Sequence, residues 1–449
     1  MEQYLVWLIA IVVSSIVFVP YTMRYMKGKQ SMEKRRSEAE LLGIDKPKAQ
    51  FPMVDRTLCI GCGACVSACP EGDVLGVVFG AAVIINGERC VGHGYCEVAC
   101  PVGALKVGLG DVTTRPDIPI LSPVNETSVP NLFIAGELSG LSLIKNAISQ
   151  GRMVINEIAN RSMPLAGVDT LDVVIVGAGP AGLAAALGAV EKGLNYIVID
   201  EKEPGGTILH YPRRKLVMTQ PVELPLFGWL KQKEYSKEDL VAIWQEALAQ
   251  FQLKIVANQR VEAVVKNGDL FAVTTSTTSY SAQHVILALG RRGSPRKLEV
   301  PGEELTKVMY RLEDAQSFSE NKLLVVGGGD SAVEAAVGLA KQPGNRVTIS
   351  YRKNGFFRIK KKNEDAINRL IRDRKITVVF DSQVTEVRPS SILLKTREGI
   401  QEIPNDYVFV LIGGIPPFDM LKQMGIRFGG PSQQTTASSF KDVVLAART

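Results

Sequence analysis

Two cysteine runs with almost the same spacing constrain the fold of this chain more than any other feature. The first run contains, in order, Cys59, Cys62, Cys65 and Cys69, and a proline follows the last. The second run contains Cys90, His93, Cys96 and Cys100, and it also ends in a proline. All seven cysteines of the 449 residues lie in these runs. This clustering argues against a disulfide framework and indicates a metal site in a reducing compartment.

The short spacing allows successive cysteines to surround one iron–sulfur cluster. The register resembles that of two-cluster bacterial ferredoxins, in which the fourth cysteine of each run serves the other cluster. The resemblance implies a first 4Fe-4S cluster on Cys59, Cys62, Cys65 and Cys100. It implies a second cluster on Cys69, Cys90, Cys96 and the residue at position 93. A structural zinc site is the alternative, but the tandem register suits two cubanes better than tetrahedral zinc.

Position 93 holds a histidine where the pattern has a cysteine, and three interpretations are open. His93 could bind the iron of a 4Fe-4S cluster, which would remove negative charge and raise the reduction potential. Three cysteines could instead hold a 3Fe-4S cluster beside an idle His93, or solvent could complete the fourth iron. We favour ligation, because the chain has only three histidines and one of them falls at this position.

The N-terminal segment 4–22 is uncharged and long enough to span a membrane as a helix. Basic residues follow it, at Arg24, Lys27, Lys29, Lys34, Arg35 and Arg36. By the positive-inside rule we predict a single-pass anchor in the inner or cytoplasmic membrane, with the later domains on the cytoplasmic side. A cleaved signal peptide is the alternative, but no basic residue precedes the apolar run. Residues 23–50 are polar and predict a linker, partly helical at 31–43.

Two apolar segments each predict a buried strand, a tight glycine turn and a helix. The first turn contains Gly177, Gly179 and Gly182, which would bend the chain, admit a pyrophosphate and pack helix on strand. The following strand ends at Asp200, where the ribose hydroxyls of a dinucleotide would lie, with Glu201 as the alternative. A glycine turn that binds no ligand is the alternative, but it does not account for the strand, the helix and the acidic residue that accompany the turn.

The second turn contains Gly327, Gly329 and Ala332, and the strand after it ends without an acidic residue. Basic residues stand there instead, at Arg352, Lys353 and Arg358. Because arginine at this point accommodates a 2′-phosphate, NADPH is favoured over NADH. A solvated basic face is the alternative, since "RIKKKN" begins at the same place.

Short strands such as "RVEAVV", "LFAVTTS", "QHVILALG" and "ITVVFD" surround the two turns. The pattern predicts an α/β chain with two Rossmann-like nucleotide-binding domains, preceded by a small α+β ferredoxin-like domain and one transmembrane helix. The predicted segments are an anchor at 4–22, a linker at 23–50, an iron–sulfur domain at 51–110, a displaced segment at 111–170, an FAD domain at 171–297, an NAD(P)H domain at 298–412 and a return to the FAD domain at 413–449.

Residues 120–430 resemble the thioredoxin-reductase-like flavoproteins. The resemblance is carried by "VGAGPAG", "PGGT" at 204–207, "VILALG", "VGGGDSA" and "VFVLIGGIPP". It implies FAD at the first turn and NADPH at the second, with Gly205 and Thr207 near the flavin. The redox-active CxxC of that family's disulfide reductases is missing, since no cysteine follows Cys100. Thiol–disulfide exchange by this region is therefore excluded unless a partner supplies the thiols.

A second departure concerns the family's closing FAD segment, which is expected near the C-terminus. Here "SVPNLFIAGELSGLSLIKNAISQGRMVINEIA" lies at 128–159, ahead of the first glycine turn. We interpret this as a circular permutation, with an unrelated strand–helix linker as the alternative. The resemblance then implies that Gly136 and Glu137 lie near the ribityl chain and pyrophosphate, Glu137 replacing the usual aspartate.

These features predict an enzyme, an FAD-dependent NAD(P)H oxidoreductase whose clusters exchange single electrons with a partner. The anchor suggests a quinone or cytochrome-type acceptor; a soluble ferredoxin-type carrier and a membrane-anchored redox sensor are the alternatives. A weaker alternative is electron splitting between two clusters of unequal reduction potential. A homodimer and a subunit of a larger complex are both compatible with the sequence. Hydride transfer needs no side-chain acid or base, so no catalytic residue is predicted. The net charge of +6 is no signature of nucleic-acid binding.

The segment after "PGGT" adds His210, Arg213, Arg214 and Lys215, which by the same resemblance would lie near the flavin. They could dock an acceptor or tune the flavin, and a plain surface loop is an equal alternative.

Overall fold

A computed structural model of the chain describes residues 2–42, 45, 50–161, 170–211, 216–218, 220–232, 234–291, 293–357 and 359–430. The chain forms an N-terminal helix, a small iron–sulfur module and two nucleotide-binding regions built on separate parallel sheets. Each sheet has its own core, because the helices that cover its faces bury Val, Ile, Leu and Ala side chains against it. The predicted α/β class with two nucleotide domains is confirmed.

The helix and the module contain α1 (Glu2–Leu42), β1 (Phe51–Val54), α2 (Ala64–Ala68), β2 (Leu75–Val78), β3 (Ala81–Ile84), α3 (Tyr95–Val98) and β4 (Leu105–Gly108). Strands β1 and β4 pair antiparallel, and so do β2 and β3. The short helices α2 and α3 each begin at a glycine with positive φ, Gly63 and Gly94, directly after the second position of a cysteine run. This repeat produces two similar metal-binding loops from two similar sequences.

The predicted linker 23–50 is helical over its first twenty residues, so the helix extends beyond the partly helical stretch expected at 31–43. Helix α1 continues to Leu42, and its second half packs on the β2–β3 hairpin. Met32 contacts the small core of Val78, Val83 and Ile85, while Arg35 forms an ion pair with Asp73. Tertiary packing therefore stabilises a helix that the polar sequence alone does not specify.

The predicted membrane span lies within the first half of α1. Among the residues that the structure describes, no helix is both long enough and apolar enough to cross a membrane. Side chains at 4–6, 8–11 and 17, which belong to the predicted span, lie outside the described ones.

The first nucleotide-binding region is built around a seven-stranded sheet. Its elements are β5 (Leu132–Ile134), α4 (Ile144–Arg161), β6 (Thr170–Val176), α5 (Pro180–Lys192), β7 (Tyr196–Ile199), β8 (Leu216–Met218), β9 (Val222–Leu224), β10 (Gly228–Leu230), β11 (Tyr235–Ser236), α6 (Lys237–Phe251), β12 (Ile255–Val256), β13 (Val261–Asn267), β14 (Leu270–Thr275), β15 (Ser279–Leu287) and β16 (Ser294–Pro295). The sheet order is β12-β7-β6-β15-β14-β13, and β5 also pairs with β15.

The displaced segment is part of this sheet and its core. Strand β5 pairs parallel with the end of β15, with Phe133 opposite Ile286. Helix α4 packs closely on α5, because a Cβ on Gly151 would lie 2.1 Å from the carbonyl oxygen of Ala181. Ile155 and Ile158 are fully buried in the same core. A strand that precedes the first glycine turn therefore completes the sheet that the turn belongs to.

The second region contains β17 (Val308–Met309), β18 (Lys322–Val326), α7 (Asp330–Ala340), β19 (Arg346–Ser350), α8 (Lys361–Arg372), β20 (Ile376–Val379), β21 (Gln383–Val387), β22 (Ser391–Thr396), β23 (Gly399–Pro404), β24 (Tyr407–Val410), β25 (Gly414–Ile415) and α9 (Phe418–Gln423). Its parallel sheet has the order β17-β24-β18-β19-β20, and β21, β22 and β23 form an antiparallel sheet beside it. The four short strands predicted around the glycine turns correspond to β13, β14, β15 and β20.

After β24 the chain returns to the first region. Strand β25 pairs with β16, Leu421 of α9 is buried in the core on one face of the seven-stranded sheet, and the amide of Ile120 donates to the carbonyl of Arg427 over 2.9 Å. The rest of the predicted return, residues 431–449, lies outside the described residues.

Candidate cofactor sites

The first glycine turn joins β6 to α5 and has the close contacts that a dinucleotide turn needs. Gly177 has φ +109°, and a Cβ there would lie 2.5 Å from the carbonyl oxygen of Ala288. A Cβ on Gly182 would lie 1.8 Å from the carbonyl oxygen of Gly177, so helix and strand touch. At Gly179, by contrast, no protein atom lies within 4 Å of the Cβ position. This opening at the N-terminus of α5 fits a pyrophosphate.

Asp200 follows β7 beside this turn. Its carboxylate accepts hydrogen bonds from the amides of Ala178, over 2.6 Å, and Lys202, over 2.8 Å. Burial raises the pKa of Asp200, and the two amides oppose that rise. Glu201 is half exposed and lies 3.9 Å from the amine of Lys202. The geometry places Asp200, rather than Glu201, against the turn.

Of the other residues predicted near the flavin, Gly205 and Gly136 contact the turn or the start of α5. The amide of Gly205 donates to the carbonyl of Ala178 over 2.8 Å, and Thr207 is half-buried in the turn that follows. A Cβ on Gly136 would lie 3.3 Å from the Cβ of Ala181. The side chain of Glu137 is exposed. The displaced segment therefore reaches the glycine turn through Gly136.

Sequence reasoning missed Gln150, which is 6% exposed on α4. Its Oε1 accepts hydrogen bonds from the amide of Gly136, over 2.7 Å, and from the hydroxyl of Ser139. Gln150 thus fixes the loop that carries Gly136 to the helix behind it. The motif "AISQG" contained the signal, since a glutamine on an apolar helix face needs a buried polar partner.

The second glycine turn joins β18 to α7. Gly327 has φ +139°, and a Cβ there would lie 2.4 Å from the carbonyl oxygen of Leu411. Gly329 caps α7, and Ala332 is fully buried in the first turn of the helix. A Cβ on Gly328 would clash with the ring of Tyr351, which therefore lies over the turn. The arrangement repeats that of the first turn on a separate sheet.

The basic residues predicted to recognise a 2′-phosphate follow β19. Arg352 is exposed, and Lys353 is half-buried with its amine over the ring of Phe357 at 5.7 Å. Arg358, the third candidate, lies outside the described residues, as do Arg213, Arg214 and Lys215. Arg352 and Lys353 thus stand at the end of the second strand of the nucleotide fold.

The first set of cysteines lies in the loop before α2, in α2 itself and directly after α3. Cys59 accepts a hydrogen bond from the amide of Ala82 over 3.3 Å, and Cys100 from that of Ala104 over 3.2 Å. Burial raises the pKa of Cys65, and the neighbouring Cys59 and Cys62 raise it further. Cys62 is exposed. N–H donors aimed at sulfur are the environment that iron–sulfur clusters use.

The second set surrounds a cavity with about 340 Å³ of atom-free space, part of it open to solvent. Its walls include Cys69, Cys90, His93 and Cys96. Burial raises the pKa of the Cys96 thiol to about 11, with Cys90 and Cys69 adding to the rise. The fourth cysteine of the first run thus lies with the second run, as the ferredoxin resemblance implies.

His93 contacts a buried carboxylate that sequence reasoning missed. Its Nε2 lies 3.1 Å from Oε1 of Glu71, which is 7% exposed and lines the same cavity. Burial opposes ionisation of Glu71, but the hydrogen bond from His93 and the charge of Lys360 hold its pKa below the ordinary value. The ring of His93 also stacks on Tyr95, with centroids 5.7 Å apart.

Contacts from this side of the module reach both nucleotide-binding regions. Gln220 donates from Nε2 to the carbonyl of His93 over 2.9 Å. Asn86 donates to the carbonyl of Phe357 over 3.1 Å. Arg89, which is 6% exposed, forms an ion pair of 2.9 Å with Glu364 of α8. Apart from His93, none of these residues belongs to a motif, and only the docked structure identifies them.

In the described part of the chain, no three His, Cys, Asp or Glu side chains converge closely enough to hold a single metal ion. A cubane is larger and takes its thiolates at separate corners. Two sets of partly buried cysteines, one around a cavity and one with N–H···S hydrogen bonds, fit two such clusters. The ligand assignments themselves stay a prediction.

Two family models match the chain. The model of the pyridine nucleotide-disulphide oxidoreductase family matches residues 174–437. The model of the 4Fe-4S dicluster domain matches residues 51–101.

Individual relatives match more than half of the chain. A ferredoxin–NADP reductase of Ignicoccus hospitalis is 30% identical over 268 residues, 58% of this chain and 82% of the relative. Bacilliredoxin reductase Bdr of Bacillus subtilis is 26% identical over 285 residues, 61% of this chain and 88% of the relative. Among solved structures, bacillithiol disulfide reductase Bdr from Bacillus cereus matches with a TM-score of 0.53 and 29% identity, covering 57% of this chain and 82% of that one.

The glycine turns, the sheets and these matches support one assignment. The predicted resemblance to thioredoxin-reductase-like flavoproteins with a two-cluster ferredoxin domain is confirmed. The chain is an NAD(P)H-dependent flavin and iron–sulfur oxidoreductase, and it belongs to the pyridine nucleotide-disulphide oxidoreductase family.

Proposed function

We propose that this oxidoreductase is anchored to the inner or cytoplasmic membrane and passes electrons between NADPH, FAD, two iron–sulfur clusters and a membrane-associated acceptor, either a quinone or a cytochrome-type partner. One observation carries the proposal. The contacts from the module to the nucleotide-binding regions come from the side of the second cysteine set, through Glu71, Asn86, Arg89 and His93. Of these contacts, the hydrogen bond from Gln220 to the carbonyl of His93 reaches the flavin region, which supports the second set as the entry for electrons from the flavin.

FAD, when bound, accepts a hydride and releases single electrons, which iron–sulfur clusters carry one at a time. The residues of this chain would bind and orient the two cofactors. The turn at Gly179 and the N-terminus of α5 would hold the pyrophosphate, and Asp200 the ribose. Gly329 and Arg352 would hold the corresponding groups of NADPH.

For the second cluster we propose ligation by Cys69, Cys90, Cys96 and His93, with a 3Fe-4S cluster as the alternative. Binding iron requires each thiol to lose its proton. Burial raises the pKa of all three thiols, and Glu71 raises those of Cys69 and Cys90. A fourth thiolate would add like charge to this pocket, whereas a neutral imidazole would not.

The first cluster is proposed as the exit. Cys62 is exposed, and the apolar neighbours of Cys59 and Cys100 are exposed as well. Leu58, Ile60 and Val98 expose 51%, 64% and 86% of their surface. Exposed apolar side chains of this size beside a redox centre suit a protein or membrane contact.

The membrane anchor is proposed from the uncharged segment 4–22. In the first half of α1, Trp7, Ile16 and Phe18 are exposed by 70%, 66% and 65%. Burial of each such side chain gains about 1.5–3 kcal/mol, which lipid would provide. We expect the full chain to stay with membranes after a carbonate wash and a chain lacking 2–22 to be released. Equal release of both would contradict the anchor.

A soluble ferredoxin-type carrier is the second candidate partner, favoured by relatives named ferredoxin–NADP reductases. Anaerobic NADPH oxidation with a water-soluble quinone analogue, a cytochrome or a ferredoxin separates these acceptors. Turnover with the ferredoxin alone would favour the soluble carrier. Reduction by NADPH that then stalls with all three would favour a redox sensor.

The test of the proposed chemistry is an anaerobic NADPH titration followed by EPR. The native chain is compared with His93→Cys and His93→Ala. We expect two cluster signals to appear on reduction, and both substitutions to change the signal or potential of the second. Unchanged second-cluster signals in both variants would contradict ligation by His93.

A further inference from the structure

Glu71 links the second cysteine set to the nucleotide-binding region that carries the second glycine turn. Its carboxylate accepts a hydrogen bond from Nε2 of His93 over 3.1 Å, and it lies close to Lys360 and Lys361 at the start of α8. Its side chain is 10% exposed and lies in the wall of the cavity. One buried carboxylate therefore contacts both a proposed iron ligand and the first residue of α8.

The loop around His93 is fixed from several directions. Gln220 holds the carbonyl of His93, and Gln50 donates to the carbonyl of Gly92 over 2.9 Å. The ring of His93 stacks on Tyr95. With Nε2 held by Glu71, Nδ1 is the nitrogen left to bind iron. A carboxylate on the far nitrogen fixes the ring's tautomer and orientation, and it makes the ligating nitrogen more basic.

The other partner of Glu71 is held by the nucleotide turn. The amide of Lys360 donates to Oδ1 of Asp330 over 2.9 Å, and Asp330 is the first residue of α7 after Gly329. Lys360 and Lys361 also end the loop that begins with Arg352 after β19. The path from Gly329 through Asp330 and Lys360 to Glu71 and His93 is thus short.

We propose that Glu71 is a positioning residue that orients His93 toward the second cluster and couples the potential of that cluster to occupancy of the nucleotide site. This inference rests on the proposed ligation by His93. A phosphate bound at Arg352 and the turn at Gly329 biases the position of Lys360 and Lys361, and Glu71 transmits that bias to the imidazole. Such coupling is reciprocal, so the oxidation state of the cluster changes nucleotide affinity by the same factor.

The first test compares Glu71→Gln with the native chain and with Glu97→Gln, which removes an exposed carboxylate of the same module. The readouts are iron content and an EPR-monitored redox titration. We expect Glu71→Gln alone to change the g-values and potential of the second cluster, and to weaken its hold on iron about 10- to 100-fold. The first cluster should be unchanged. A second cluster indistinguishable from that of the Glu97→Gln chain would overturn the positioning role.

The second test needs no variant. Adenosine 2′,5′-bisphosphate carries the 2′-phosphate but no nicotinamide, so it occupies the site without donating a hydride. We expect it to bind the native chain with at least about fivefold different affinity when the second cluster is reduced. The potential of that cluster should shift by the matching amount. Equal affinity in both oxidation states would overturn the coupling, and so would an undiminished difference in Glu71→Gln.

These outcomes are distinct from failure of the proposed function. If His93→Ala alters the second cluster while Glu71→Gln does not, His93 remains a ligand and only the role of Glu71 is wrong. If neither changes it, ligation by His93 is wrong, and the inference falls with it.

Discussion

The side-chain amide of Gln220 donates a 2.9 Å hydrogen bond to the carbonyl of His93. Gln220 itself is bound from the other side by the amine of Lys145 on α4, at 3.0 Å. The displaced segment, the flavin region and the loop of the second cysteine set are therefore joined at one residue. Because the displaced segment directly follows the iron–sulfur module in the chain, these three parts come together with little connecting sequence.

Two of the three glycines of the first turn, Gly179 and Gly182, should respond differently to alanine. Gly179→Ala has room for its methyl group in the protein, but that group would occupy the pyrophosphate position. We expect normal thermal stability of the apoprotein and reduced flavin content. Gly182→Ala places its Cβ 1.8 Å from a carbonyl oxygen, so we expect a loss of about 1–3 kcal/mol in unfolding free energy. Flavin absorbance and thermal melts separate the two effects, and identical behaviour would contradict the assigned roles.

The displaced segment should contribute to the stability of the flavin region. Ile158→Ala removes a fully buried side chain of α4, and we expect a loss of about 2–5 kcal/mol in unfolding free energy. Ile400→Ala, at a position 68% exposed on β23, is the matched control and should be nearly neutral. If urea titration shows both variants to be neutral, the segment is a linker and the permutation is wrong.

Arg352 should select NADPH over NADH. Its replacement by alanine removes a charged hydrogen bond to the 2′-phosphate, worth about 1.5–3 kcal/mol. We expect KM for NADPH to rise by about tenfold or more, while KM for NADH is unchanged. Arg346→Ala, an exposed residue at the other end of β19, serves as the control. Equal changes in KM for both nucleotides would show that Arg352 does not recognise the 2′-phosphate and belongs to a solvated basic face.

His284 should make the chain less stable in mild acid. It is 3% exposed on β15, and burial lowers its pKa below the ordinary 6.5 although it contacts the carbonyl of Asp172. Below about pH 6.5 the unfolded chain binds a proton that the folded chain does not, so stability falls as the pH drops toward the folded pKa. The slope cannot exceed about 1.4 kcal/mol per pH unit for one group.

The check is urea unfolding of the native chain and His284→Gln between pH 7 and pH 5. The variant should lose this part of the pH dependence, and His210→Gln should retain it. A slope that is the same in all three chains would show that His284 does not titrate on unfolding.

The sequence was sufficient wherever function depends on local spacing. Gly177, Gly179 and Gly182 predict their turn because a strand, a tight bend and a helix follow one another within a few residues. The cysteine register predicts that Cys69 joins the second set for the same reason. Residues such as Glu71, Gln220 and Arg89 could not be found this way, because their partners lie far away in the sequence and only the folded structure brings them together.

The N-terminal helix is a second case in which the sequence alone was not sufficient to predict the structure. Residues 23–42 have no apolar periodicity, and the sequence therefore predicts a linker that is helical only in part, at 31–43. Met32 and Arg35 nevertheless find partners on the β2–β3 hairpin, and the helix continues through them. A few long-range contacts determine the conformation of a segment whose own sequence pattern does not specify a helix over its whole length.

The central claim is that the clusters receive the electrons that NADPH delivers to the flavin. Rapid mixing with NADPH under anaerobic conditions, followed by freeze-quench EPR and flavin absorbance, tests it most directly. The account predicts loss of flavin absorbance first and reduced cluster signals within one turnover, with the second cluster among them. A flavin that is reduced and reoxidised over many turnovers while both clusters stay oxidised would contradict it.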